Sequence, residues 1–184
     1  MKKPLIIGIV AVMVCLLAAG ATIAWLTASA ETTNTFTVGK IGISLAEPNW
    51  TPSSKIYPGA VISKDPTVTV TANSEVCYVY VMVDNQLNAA LPGAVSLNIN
   101  ADWTLITTTG SKTVYRYHAT VPQSTTATNL TPVFTGVTVS SSVVTEANIS
   151  LLDGKTIGIK AYAHQYNATT ESAADAAALA FLLA

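Results

Sequence analysis

Few side chains in this sequence could carry catalysis. It has two histidines, His118 and His164, and neither stands in the His-Glu-x-x-His pattern that presents two imidazoles and a general base to zinc. The Gly-x-Ser-x-Gly turn of serine hydrolases and the glycine-rich loops that cradle phosphates are also missing from the sequence. Cys77 lies in a valine-rich stretch with no histidine nearby, which favours a buried inert thiol over a nucleophile. The sequence therefore predicts no enzyme, no cofactor and no metal site.

Two alternatives concern binding rather than catalysis. His118 and His164 both lie on predicted strands, and if those strands were neighbours the pair would bind a metal weakly; a surface or hydrogen-bonded role is favoured. Several tyrosines offer a platform for stacking on carbohydrate, although packing in the core and across strands is the favoured role. These tyrosines are Tyr57, Tyr78, Tyr80, Tyr115 and Tyr117.

The elements that position these residues are mostly strands. The segment "PTVTVTA" alternates strictly, while "EVCYVYVMV" is apolar on both faces, which indicates a strand that is covered on both sides or lies at an interface. Strand patterning also marks the region from Phe36 to Leu45 and the segments "VSLNIN", "WTLITTT", "TVYRYHATV", "TPVFTGVTVS" and "KTIGIKAYAHQ". Turn signals such as Pro58-Gly59 and Gly110-Ser111 separate them. Seven or more short strands of this kind predict an all-β, antiparallel sandwich.

The carboxyl-terminal segment has a different pattern. "TTESAADAAALAFLLA" offers Thr170 or Ser172 as a helix cap, acidic residues near the start and strong helix formers after them. We expect a short helix that packs on the sheet, or else docks on a partner subunit or a membrane.

The amino-terminal segment has the features of an export signal. Lys2 and Lys3 precede a run from Leu5 to Leu26 that contains no charged residue. The run is long enough to span a bilayer, so a retained anchor is the alternative to cleavage. Ala28-Ser29-Ala30 has the small-x-small pattern that signal peptidases accept, and a second acceptable site ends at Ala24. We predict a signal peptide over residues 1–30, cleaved after Ala24 or Ala30, and a single β-sandwich domain over residues 31–184.

Composition restricts the classes of partner. The chain has 9 basic and 10 acidic residues, a net charge of −1, and only 10% charged residues. This balance gives no basic surface for nucleic acid and little electrostatic protection against self-association. Cleavage would leave Cys77 as the single cysteine, so no internal disulfide can form.

Two segments carry a resemblance to a known family. The stretch "ATIAWLTASAETTNTFTVGKIGISLAE" is an apolar run ending in small residues, followed by Asn-x-Phe-x-x-Gly at Asn34, Phe36 and Gly39. The stretch "YPGAVISKDPTVTVTANSEVCYVYVMV" has a Pro-Gly turn, a spacer with lysine, a strand ending near asparagine and an aromatic-valine strand. Both stretches resemble the TasA/camelysin family, which is exported by Gram-positive bacteria and processed by a dedicated SipW-type signal peptidase. The matching positions in the second stretch are Pro58, Gly59, Lys64, Asn73 and Tyr78.

The resemblance implies a jelly-roll-like β-sandwich that is secreted to the extracellular or cell-surface matrix. There such proteins form biofilm fibres by donor-strand exchange, in which the amino-terminal segment of one subunit completes the sheet of the next. The donor strand would include Thr32, Asn34, Phe36 and Val38. Expected partners are other copies of the chain, the signal peptidase and other matrix proteins. The alternatives are a monomeric surface adhesion or carbohydrate-binding sandwich and, as camelysin relatives suggest, a secreted metallopeptidase.

Overall fold

The computed structural model describes Met13 and residues 39–49, 55–167 and 170–184. Contacts divide the chain into two units, Met1–Val38 and Gly39–Ala184. In the first unit the described residue, Met13, is helical and exposed. All strands below belong to the second unit.

Ten strands are present in the described part of the chain. They are β1 (Ile43–Ala46), β2 (Val61–Ser63), β3 (Thr67–Val70), β4 (Cys77–Asn85), β5 (Val95–Ile99), β6 (Trp103–Thr109), β7 (Lys112–Tyr117), β8 (Thr128–Asn129), β9 (Phe134–Val139) and β10 (Ile157–Gln165). Two helices, α1 (Gln86–Ala90) and α2 (Glu171–Leu182), and a 3-10 turn at Ile149–Leu152 complete the described elements.

The strands form three antiparallel sheets. Sheet I has the order β1-β3-β8, sheet II the order β10-β4-β7-β6, and sheet III the order β2-β9-β5. The main core takes side chains from all three sheets, such as Val68 of sheet I, Val81 of sheet II and Val137 of sheet III. The prediction of a sandwich-like all-β protein with a short carboxyl-terminal helix is confirmed at this level.

Strand β4 lies between two separate apolar clusters. Cys77, Val79, Val81 and Val83 face the main core, while Tyr78, Tyr80 and Met82 belong to a second cluster that they share with helix α2. Successive side chains of a strand point to opposite faces, so a strand covered on both faces needs apolar residues at every position. This arrangement explains why the sequence of β4 has no polar face.

Helix α2 covers the tyrosine face of sheet II. Of the two caps that the sequence offered, Thr170 begins the helix, and its hydroxyl accepts a hydrogen bond from the backbone N–H of Ala173 at 3.3 Å. Ala174, Ala178 and Leu182 are completely buried against the sheet. Of the three placements left open by the sequence, the structure therefore has the helix on its own sheet.

A polar network fastens the start of α2 to the sheet. Both carboxylate oxygens of Asp175 accept hydrogen bonds from Arg116, at 2.8 and 2.9 Å, and Oδ1 also accepts one from the Tyr80 hydroxyl at 2.8 Å. Glu171 lies 2.7 Å from the same guanidinium group. Burial raises the pKa of Tyr80, and its bond to Asp175 raises it further. Burial opposes the charge of Arg116, but the bonds and charges of Asp175 and Glu171 outweigh this, so its pKa is raised.

The end of α2 is held by lysines of the sheet. Lys160 donates to the carbonyl oxygen of Phe181 at 3.0 Å, and its ammonium group also lies 4.4 Å from the centre of the Phe181 ring. Lys112 donates to the carbonyl of Leu183 at 3.5 Å. Cations at the carboxyl end of a helix complement its dipole.

Three details differ from the sequence expectations. In the described residues the first extended region is a strand only over Ile43–Ala46; Gly42, whose carbonyl oxygen accepts a hydrogen bond from the backbone N–H of Thr71, lies just before it. His118 does not lie on a strand, since β7 ends at Tyr117. The short elements β2 and α1 were not predicted.

Candidate binding surfaces: a free sheet edge and an apolar cavity

Cys77 is the buried thiol that the sequence indicated. Its side chain is fully buried in β4, and burial raises its pKa to about 11. The thiolate, which is the nucleophilic form, is therefore suppressed at neutral pH and is inaccessible to a substrate.

The two histidines lie apart. His164 lies on β10, where it pairs with Tyr78 of β4, and His118 follows the end of β7. In sheet II, β4 lies between β10 and β7. The condition for a shared metal site, neighbouring strands, is therefore not met. His118 Nδ1 lies 3.9 Å from a carboxylate oxygen of Asp102, and His164 Nδ1 lies 3.1 Å from the hydroxyl of Tyr162. Across the residues that the structure describes, no group of three or more His, Cys, Asp or Glu side chains is arranged to hold a metal ion.

Four of the five tyrosine side chains pack within the protein and are not available for stacking on a ligand. Tyr78 and Tyr80 are buried beneath α2, and Tyr115 and Tyr117 pack against the main core. Tyr57 is 59% exposed and belongs neither to the main core nor to the cluster beneath α2. The packing interpretation is confirmed for these four side chains, which do not form a stacking platform.

Among the described residues, no strand pairs with the outer edge of β6. Within the described residues β6 pairs only with β7, although it is seven residues long. Leu105 lies opposite Tyr115 and on the same face as Trp103, which is 4% exposed and belongs to the main core. Leu105 itself is 57% exposed. The core-facing side of the sheet is therefore uncovered at this edge, and the backbone groups of β6 are available to another strand.

A cavity opens near the other edge of sheet II. Its volume is about 360 Å³, and its walls come from β10 of sheet II, the three strands of sheet III, α1 and the loops before β2 and β10. Its apolar lining consists of Ile56, Ile62, Leu87, Val95, Val137, Val139 and Ile157. Lys64 and Lys155 are its charged lining residues.

Lys64 is held in a polar clasp beside this cavity. Its ammonium group donates to both carboxylate oxygens of Glu47, at 2.6 and 2.7 Å, and its side chain is 9% exposed. The neighbouring Asp65 accepts hydrogen bonds from the backbone and side chain of Asn49, at 2.9 and 2.7 Å. The clasp joins the chain after β1 to the chain after β2, and the charge of Lys64 is neutralised there.

The predicted assembly and processing residues lie outside the described part of the chain. These are the donor-strand residues Thr32, Asn34, Phe36 and Val38 and the cleavage residues Ala24, Ala28 and Ala30. Their roles remain predictions. Among the described residues, no helix combines the length and apolar character needed to cross a bilayer.

Comparisons with protein-family models, curated proteins and solved structures found no match to this chain.

Sequence reasoning identified neither the β6 edge nor the cavity. Edge position depends on strand order, which the sequence does not encode locally. The exposed Leu105 within a threonine-rich strand was the available signal for the edge.

Proposed function

We propose that this chain is an exported structural protein that self-assembles at the cell surface, as a subunit of a biofilm matrix fibre. Subunits join when the amino-terminal segment of one copy adds as a strand to a sheet edge of the next. The observation that supports this most directly is the free edge of β6, where the core-facing Leu105 is 57% exposed. A jelly-roll winding of the strands belongs to the same proposal.

The segment Thr32–Val38 is the proposed donor, and β6 is the proposed acceptor. Donor and acceptor are both seven residues long, so one can pair with the other along its whole length. Phe36 is the anchor, because it can cover the apolar side chain that β6 leaves exposed. Burying an aromatic side chain contributes about 1.5–3 kcal/mol, and each backbone hydrogen bond adds about 0.5–1.5 kcal/mol net. These gains offset the cost of association and of ordering the segment.

The donor side is tested with two changes to the processed protein. We expect Phe36→Asp, and a chain that begins at Val38, to remain folded and monomeric in negative-stain microscopy and sedimentation. An added peptide of residues 31–45 should then bind to the shortened chain. Phe36→Leu is the matched control, because it keeps an apolar anchor and should still form fibres.

The acceptor side is tested on the sheet edges. Leu105→Asp should prevent fibre growth, whereas Val61→Asp should not, although Val61 is a 74% exposed apolar residue on another edge strand. Fibres that form equally well from the parent, the shortened chain and Phe36→Asp would refute donor-strand joining. A parent that stays monomeric under all conditions would favour the monomeric adhesion alternative.

A further inference from the structure

The apolar cavity beside β10 continues into a second, more polar depression. We call the first, of about 360 Å³, the inner cavity, and the second, of about 390 Å³, the outer hollow. The outer hollow is lined by Lys55, Ile56, Ile149, Leu152, Asp153, Gly154 and Lys155. Ile56 and Lys155 line both spaces, so the two adjoin at these side chains.

The inner cavity is larger than a packing defect. Protein interiors are close-packed and contain few voids larger than a water molecule, whereas ligand sites have volumes of about 300–1,000 Å³. Its walls include Leu87, Val95 and Val139, which are 4%, 4% and 1% exposed and belong to the main core. A hydrocarbon group in this space would contact core side chains directly.

The charges around the two spaces favour an anion at one end. Lys64 is neutralised by Glu47, so it does not offer a free positive charge to the inner cavity. Lys55 and Lys155 line the outer hollow together with a single acidic residue, Asp153. Within the described residues, no ion pair joins either of these two lysines to a carboxylate. The outer hollow therefore has one positive charge in excess, next to an apolar cavity.

We propose that this bipartite site binds a single-chain anionic amphiphile of the fatty-acid type. The hydrocarbon chain lies in the inner cavity against Leu87, Val137 and Ile157, and the carboxylate lies at the border of the outer hollow beside Lys155. This binding activity is separate from the proposed fibre assembly, because the site adjoins β10 and the assembly uses β6, the strand at the opposite edge of sheet II.

The test uses octanoate as the probe, with octanol as its uncharged match and acetate as its head group alone. Binding to the natively processed protein is followed by calorimetry and by shifts of backbone amide signals. We expect octanoate to bind more tightly than octanol, acetate not to bind, and the largest shifts to occur at Ile56, Ile62 and Lys155.

Matched variants separate the two halves of the site. Lys155→Gln should weaken octanoate about fivefold and leave octanol unchanged, which corresponds to one exposed ion pair; Lys40→Gln, outside the site, should change neither. Ile62→Trp should block both probes by filling the inner cavity. Val61→Trp is its control, because Val61 is the preceding residue of β2 and points to the opposite face. Thermal unfolding verifies that each variant is folded.

Several results would overturn the proposal. Equal binding of octanoate and acetate would indicate an adventitious ion only. Equal binding of octanoate and octanol, unaffected by Lys155→Gln, would remove the role of charge. Binding by a chain that begins at Gly39 but not by the processed protein would show that the chain's own amino-terminal segment occupies the site. Binding to phosphatidylglycerol vesicles without binding of octanoate would indicate a membrane surface instead.

Discussion

Asp175 is the residue whose loss should weaken the attachment of helix α2 most. Its carboxylate is the common acceptor for Arg116 and Tyr80, two side chains of sheet II. Asp175→Ala removes both contacts at once and leaves their donors without a partner. We expect the variant to lose about 3 kcal/mol of stability in the docking of α2, because a buried hydroxyl and a largely buried guanidinium group lose their shared acceptor.

The magnitude follows from the burial of the three groups. The Tyr80 side chain is 0% exposed, so its unpaired hydroxyl costs about 1–3 kcal/mol. Breaking a fully buried ion pair costs about 3–5 kcal/mol. Here the side chains of Arg116 and Asp175 are 13% and 23% exposed, and Arg116 keeps its contact with Glu171. The ion-pair contribution is therefore well below the fully buried value.

Hydrogen exchange of the backbone amides measures this effect in the folded state. A loss of about 3 kcal/mol corresponds to faster exchange in α2 by about 150-fold, since 1.4 kcal/mol is a factor of ten. The amide of Val68 in sheet I serves as the reference for global opening. Glu171→Ala is the matched control, because Glu171 contacts the same guanidinium but is 59% exposed and should contribute less than about 1 kcal/mol.

Two results would refute this reasoning. One is an effect of Asp175→Ala no larger than that of Glu171→Ala. The other concerns the triple variant Tyr80→Phe, Arg116→Met, Asp175→Leu, which replaces all the polar groups with apolar ones and should recover most of the loss. If the triple variant is less stable than Asp175→Ala, packing rather than polar pairing holds the helix.

Three further predictions concern pH, packing and the histidines. Burial raises the pKa of the Cys77 thiol from 9.0 to about 11, so the folded state holds this proton more tightly than the unfolded state. The stabilisation from the protonated thiol is complete below pH 9, and the free energy of unfolding falls by about 2–3 kcal/mol between pH 9 and 11. Urea unfolding should show a smaller alkaline loss in Cys77→Ala, and an unchanged loss would contradict the assignment. Gly42→Ala should cost about 1–3 kcal/mol, since its Cβ would lie 2.4 Å from a threonine hydroxyl. Gly158→Ala, where the nearest atom would be 3.7 Å from the added Cβ, should cost less. Equal urea-unfolding midpoints for the two alanine variants would exclude this steric effect. His118→Ala and His164→Ala should leave fibre formation intact in microscopy; loss of fibres and of metal binding in folded variants would restore a metal role.

The sequence contained the information for the elements that have strong local patterns. The two apolar faces of β4 indicated a strand that is covered on both sides or lies at an interface, and in the structure the main core covers one face and α2 the other. The cap at Thr170 and the turn at Gly110 were also readable, because capping and positive φ angles depend on a few neighbouring residues.

The remaining features depend on contacts between distant parts of the chain. The partner of Arg116, Asp175, could not be identified from the sequence, because the pairing depends on the placement of α2 on sheet II. The three-residue β2 is too short for a periodic pattern, and its pairing with β9 makes it a strand. The cavity is built from six separate segments, so no local pattern indicates it.

The pairing of β4 with β10 also controls when the chain can fold. Cys77 pairs with Gln165 at one end of this ladder and Asn85 with Ile157 at the other, with β5 to β9 between them in sequence. Pairings between distant residues form slowly, because the intervening loop must close first. In the proposed export, a chain threaded through a translocation channel amino end first could not complete sheet II until β10 had emerged. The valine-rich strand β4 would lack its β10 neighbour until then, which would keep the chain competent for the proposed transport and make holding factors useful during the delay.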